Sequence, residues 1–298
     1  MVNMIHNKES IPCIIGSTIG MAGSLIFILV YLFLKEIRDS ARKYIIILSI
    51  CDFLLGFFAI LPGPSSTGLC HTQAFFMSFL FIASCSFIFL ASLVFYLKFC
   101  HDKNVDQSPI FFIWGFVLII IVALIVSIIT ISFSPIASKD THWCWVTKHK
   151  IEAIVYSIVW VTLLGTLILY SLFFFQLRGN TRISKSFQYK MFALGWIYVF
   201  TELWTSIKRA RQLANENASD SSVLDFTQAL FLPMLGLWDS VFFVFFDKNV
   251  RNSIKNRFSK YPKFSSNNLT GYEIFSANGD NQLQALDTSD TNDSDDFY

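Results

Sequence analysis

Residues 70–97 read CHTQAFFMSFLFIASCSFIFLASLVFYL, without a single Asp, Glu, Lys or Arg. A helix needs about 20 mostly apolar residues to cross a bilayer, and this run exceeds that length. It reads as a membrane span, and the fold then turns on how many more there are. Composition agrees. Of the 298 residues 54% are hydrophobic, 33 are phenylalanine, and only 15% are charged, against about 25% in soluble domains. A cytosolic enzyme and a secreted domain both fit poorly.

Working outward, seven stretches have the length and apolarity of a span: about 12–34, 44–63, 72–99, 109–133, 151–176, 190–207 and 223–246. The sixth is the shortest and holds Glu202. Pro12, the Pro62–Gly63–Pro64 turn, Pro109 and Pro135 fall where helices should end. The expected fold is an all-α membrane protein, a seven-transmembrane helix bundle occupying residues 12–246. The first run is long enough to span, so it is expected to stay in the membrane rather than act as a cleaved leader. No internal repeat is visible, which counts against a transporter built from duplicated halves.

Basic residues set the orientation. With residues 1–11 outside, sixteen Lys and Arg fall on the inner side and seven on the outer, which accounts for all 23. The chain is expected in the plasma membrane with its N-terminus out and its C-terminus cytosolic. Asn217, in the sequon Asn217-Ala218-Ser219, then lies in the last outer loop as a glycosylation acceptor.

That topology explains THWCWVTKHK, residues 141–150. Cys51 and Cys85 sit within spans, Cys100 at an inner end, and Cys13 at the start of span one. Only Cys70 shares with Cys144 an outer boundary position, and an oxidising compartment permits a Cys70–Cys144 disulfide there. The alternative is two free thiols. Trp143 and Trp145 suit an interface, with ring bodies buried and N–H groups in water.

Ionisable groups at membrane depth are costly and usually face the bundle interior. Asp52 in span two and Asp239 in span seven are therefore candidates for one shared network. It is either a switch that repacks on activation or a static strut with Ser49 or Ser240. Glu202, Lys208, Arg209, Trp145 and Asp225 are the candidate ligand-pocket residues; the plainer reading is snorkelling and wet helix ends. A basic cluster on the outer side would attract anions.

On the inner side, Arg178, Arg182 and Lys185 lie in the short basic loop after span five, which binds anionic lipid headgroups by default and in a receptor would also meet the cytosolic partner. Residues 247–263 carry Val250, Ile254 and Phe258 on one face with bases around them, the pattern of a short amphipathic helix after span seven. Residues 264–298 hold no Lys or Arg and too little apolar content to fold alone, so a disordered acidic cytosolic tail is expected. Ser265, Ser266, Thr288, Ser289, Thr291 and Ser294 are its candidate phosphorylation sites, readable by an arrestin-like adaptor. A plain solubilising tail is the alternative.

The runs LKEIRDSARKYIIILSICDFL, CHTQAFFMSFLFIASCSFIFLASLVFYL and HWCWV resemble the cyclic-AMP receptor-like, class E G-protein-coupled receptors of slime moulds. The likeness covers about residues 16–175. It is looser in span seven, where Leu235 stands in place of an expected glutamine, and in span six, which lacks an expected proline. The rhodopsin-like pattern is similar only in outline. A retinal protein is excluded, since residues 223–246 contain no lysine for a Schiff base. The resemblance implies a receptor that carries binding of an extracellular small ligand, cyclic AMP or another small anion, to a heterotrimeric G protein, with Arg178, Arg182 and Lys185 as the candidate contact. The alternative is an ion channel or transporter using Asp52 and Asp239. No enzyme activity, cofactor, metal site or nucleic-acid partner is expected, because no metal-ligand cluster, phosphate loop or nucleophile–base set is present.

Overall fold

A computed structural model describes residues 10–34, 42–61, 67–101, 108–133, 136–137, 143–146, 149–177, 185–214, 222–245 and 248–259. The chain divides into two units, Met1–Arg257 and Phe258–Tyr298, and of the second only Phe258 and Ser259 are described. Asn217, Arg178, Arg182 and the six candidate phosphorylation sites lie outside the described residues.

The first unit is helical. It runs α1 (Ser10–Phe33), α2 (Arg42–Ile60), α3 (Thr67–His101), α4 (Pro109–Phe133), α5 (His149–Leu177), α6 (Lys185–Ala214), α7 (Ser222–Phe231), α8 (Leu235–Ser240) and all but the last two residues of α9 (Lys248–Ser259). Two short strands, β1 (Ile136–Ala137) and β2 (Trp145–Val146), pair antiparallel in the α4–α5 connection. Among the described residues six helical stretches are long and apolar enough to cross a membrane: α1 to α5, and Val223–Val244, which takes in α7 and α8. The thirty-residue α6 falls outside that group; it carries Glu202, Lys208, Arg209 and Arg211.

Contacts close a ring, α1–α2–α3–α5–α6–α7 and back to α1, with α4 outside it against α3 and α5. Of the six membrane-length stretches, α3 is the most deeply covered and α4 the least. Packing follows from that order. α3 supplies core side chains all along its length, including Met77, Phe81, Phe87, Ala91 and Val94, while Trp114, Leu118 and Ile125 of α4 stay exposed.

The last membrane stretch is not one regular helix. Pro233 lacks an N–H and its ring crowds the preceding turn, so α7 passes into a 3-10 turn over Leu232–Met234 before α8 begins. A π turn over Val241–Phe245 follows. This irregular stretch lies against α1 where α1 has no side chains. Gly16, Gly20 and Gly23 share one face of α1. A Cβ at Gly20 would collide with the Pro233 carbonyl, and one at Gly236 with Ser24. Without a water-driven force between helices in lipid, such close backbone approach supplies the attraction. Ser240 Oγ adds a hydrogen bond to the Gly23 carbonyl. Gly20→Leu is expected to cost about 2 kcal/mol or more by overpacking, read as a lower aggregation temperature of the purified protein; an unchanged temperature would refute this contact.

α9 turns Val250 and Ile254 toward the bundle and leaves Arg251 and Lys255 exposed. Arg257 Nη1 donates to the Phe33 carbonyl at 2.6 Å, which ties α9 to the C-terminus of α1.

Candidate functional site

At the bundle end where α2 finishes and α3 begins, Cys70 and Cys144 form a disulfide across a sequence separation of 74. The bond holds the α4–α5 connection against α3, where Ala74 and Ile136 pack beside it. One turn along α3, Gln73 reads as an ordinary polar residue in the sequence HTQAFF, but here it joins three segments. Its Nε2 donates to the carbonyls of Phe58 and Leu61 at 2.9 and 2.8 Å, and its Oε1 accepts from the Cys144 N–H at 3.0 Å. The last carbonyls of a helix lack partners within it, and Gln73 supplies them for α2. Gln73→Leu would strand these buried groups at about 1–3 kcal/mol. The expected result is reduction of the disulfide by a water-soluble thiol at least about tenfold faster; an unchanged rate would show that Gln73 does not hold this joint.

Trp143 and Trp145 are both buried, which corrects the expectation of wet indole N–H groups at an interface. For Trp145 the reason is a carboxylate. Glu152, in the first turn of α5, is only 3% exposed, and its Oε1 accepts from Trp145 Nε1 at 2.5 Å. The same oxygen lies 3.0 Å from Arg209 Nε, on α6. The Arg209 guanidinium also donates from Nη1 to Gln212 Oε1 at 2.7 Å, and its Cζ lies 5.6 Å from the centre of the Tyr156 ring. Tyr156 follows Glu152 by four residues, so both project from one face of α5. One acid thus joins the disulfide-anchored loop, α5 and α6.

The neighbouring Lys208 pairs with Asp225 of α7 at 2.5 Å, again with both side chains buried. The basic cluster expected to attract anions is therefore already matched to carboxylates at Lys208 and Arg209; Arg211 is exposed. Five residues were expected around one pocket. The structure gathers Trp145 with Arg209 and Lys208 with Asp225. Glu202 stands apart, seven residues before Arg209, or about 10 Å along the helix. It is buried, and neither carboxylate oxygen has a hydrogen-bond partner among the described residues.

Deeper in the bundle, Asp52 of α2 is buried and its Oδ1 accepts from Ser84 Oγ of α3 at 2.5 Å. Ser240 is engaged with Gly23 instead. The side chain of Asp239 lies outside the described residues, as does that of Lys185. No group of three or more His, Cys, Asp or Glu among the described residues is placed to hold a metal ion.

Comparison with known proteins adds a distant likeness. No family model matches the chain. A protein named G-protein coupled receptor 1, from Arabidopsis thaliana, is 27% identical over 168 residues, which cover 54% of this chain and 49% of the relative. The chain thus spans about half the length of the curated relative it matches, and the likeness is to a G-protein-coupled-receptor-like protein.

Proposed function

We propose that this protein is a seven-helix receptor of the plasma membrane that carries binding of an extracellular small ligand to a heterotrimeric G protein. α6 is the seventh crossing, the disulfide end faces outward, and α9 lies along the inner leaflet. The observation that carries this reading is Glu152, which fastens loop, α5 and α6 through one oxygen. The distant receptor-like relative points the same way.

The mechanism follows from what such a joint permits. An anionic ligand entering at the disulfide end competes with Glu152 for Arg209, since a phosphate or carboxylate can offer arginine paired hydrogen bonds. Displacing Glu152 releases α6 from α5 and from the roof. α6 is thirty residues long, about 45 Å. A tilt at its outer end is therefore passed to its start near Lys185, where the G protein is to dock with Arg178 and Arg182. The ligand shifts the equilibrium only by as much as it prefers the released packing. Cyclic AMP or another small anion is the ligand class that the sequence resemblance implies, and the acidic tail is the site for an arrestin-like adaptor. No catalysis is assigned.

The test is nucleotide exchange on an added heterotrimeric G protein, with the full chain in lipid nanodiscs, screened against cyclic AMP and other small anions. Ligand-dependent exchange is expected, with potency falling at least about tenfold in Arg209→Gln. Ion flux through the chain in liposomes without exchange would favour the channel or transporter reading.

A further inference from the structure

Among the described residues the buried charged side chains are Asp52, Glu152, Glu202, Lys208, Arg209 and Asp225. Acids outnumber bases in that set, and both bases are taken, Lys208 by Asp225 and Arg209 by Glu152. Asp52 accepts from Ser84. Glu202 is 1% exposed, and neither of its oxygens meets a donor among the described residues. A carboxylate at membrane depth with no counter-charge is costly, and such a group marks a place of function.

The helix register shows where that carboxylate points. Its charge is felt by Cys85 of α3 and Tyr156 of α5, so it turns into the ring rather than out to lipid. Thr205 follows Glu202 by three residues on α6 and precedes Lys208 by three, which makes it a surface neighbour of both. On α7, Gln228 follows Asp225 by the same step. The Lys208–Asp225 pair sets the level between these antiparallel helices, so Thr205 and Gln228 stand opposite each other about 4.5 Å deeper. Both are buried, and Thr205 Oγ1 and Gln228 Oε1 also lack partners among the described residues. Buried acceptors left unmet on two helices call for a positive centre. A proton on Glu202 gives one donor to one acceptor. Water gives donors but no charge. A hard metal cation answers every oxygen at once. Calcium takes about six to eight oxygen ligands, usually with several carboxylates, which is more than this set supplies. One carboxylate with a hydroxyl and an amide oxygen balances a single positive charge.

We infer that Glu202, Thr205 and Gln228 bind a monovalent alkali cation inside the bundle, below the Lys208–Asp225 pair. The ion joins α6 to α7 through oxygens of both helices, so its departure loosens that pair. The site is separate from Arg209, and the inference is independent of whether the chain couples to a G protein.

The experiment takes the full chain in nanodiscs and compares its unfolding temperature in sodium, potassium and choline chloride at equal ionic strength. Sodium or potassium is expected to raise it above the choline value, and the rise should grow with concentration, because an ion that binds only the folded state stabilises by mass action. Glu202→Gln should abolish the rise while unfolding in choline no earlier than the native chain, since it removes a buried charge and no contact. Gln228→Leu keeps the carboxylate and loses one neutral oxygen, so the half-saturating concentration should increase about tenfold. Equal temperatures in the three salts, a rise retained in Glu202→Gln, or an unchanged half-saturation in Gln228→Leu would overturn the site. So would a rise with calcium alone, or stabilisation by acid in choline without any response to sodium or potassium, which would place a proton on Glu202 instead.

Discussion

Replacing Cys70 and Cys144 together with alanine is expected to lower stability by about 2–4 kcal/mol. Loop-closure entropy for a separation of 74 residues sets an upper figure of about 4–5 kcal/mol. The membrane lowers it, because inserted helices are not a free coil. The loss does not stop at chain entropy. Without the bond β2 is held by its pairing with β1, by the Gln73 contact to the Cys144 N–H, by the Trp145–Glu152 contact and by the packing of Trp145 and Val146 in the core. Cys13, Cys51 and Cys85 are buried thiols outside the disulfide, so they become reporters: a thiol-reactive fluorophore labels them only on unfolding. The double variant should label at a clearly lower temperature than the native chain. Equal labelling curves would mean that the disulfide is redundant and that packing alone seats the roof.

What was legible in the sequence was what depends on length and composition. A long apolar run reads as a crossing helix by itself, and six of the seven runs read from the sequence are long and apolar enough for that in the structure, the exception lying in α6. The pairing of Cys70 with Cys144 was legible because it follows from topology, as both occupy boundary positions on one side. The residues that join segments were not. Glu152 begins a helix, where an acid is ordinarily solvated, and its burial comes from a loop folding down and from Arg209 more than fifty residues away. Gln73 was equally silent, although its place one turn from Cys70 was a usable signal. Asp225 and Lys208 were both singled out as pocket residues, but their pairing across α6 and α7 needed the third dimension. Pro233 stood openly in LPMLGLW, and the continuous-helix reading of span seven overlooked it.

Glu152→Ala should be more damaging than Arg209→Ala, although the two residues are partners. Removing the acid leaves a buried guanidinium without its counter-charge and the Trp145 N–H without its acceptor, a loss of about 3–5 kcal/mol. Removing the arginine leaves Glu152 still accepting from Trp145, so the loss should be smaller. A buried pair replaced by well-packed apolar residues is often neutral or better. Glu152→Met with Arg209→Met is therefore expected to recover much of the stability lost by Glu152→Ala, as read by the same thiol-labelling transition. The double variant also separates structure from signalling. If the pair is only a strut, a refolded and stable double variant still drives nucleotide exchange when ligand is added. If Arg209 is where an anion displaces Glu152, that variant is folded but deaf to ligand, with basal exchange retained. A stable double variant with native ligand potency would leave α6 without the trigger assigned to it.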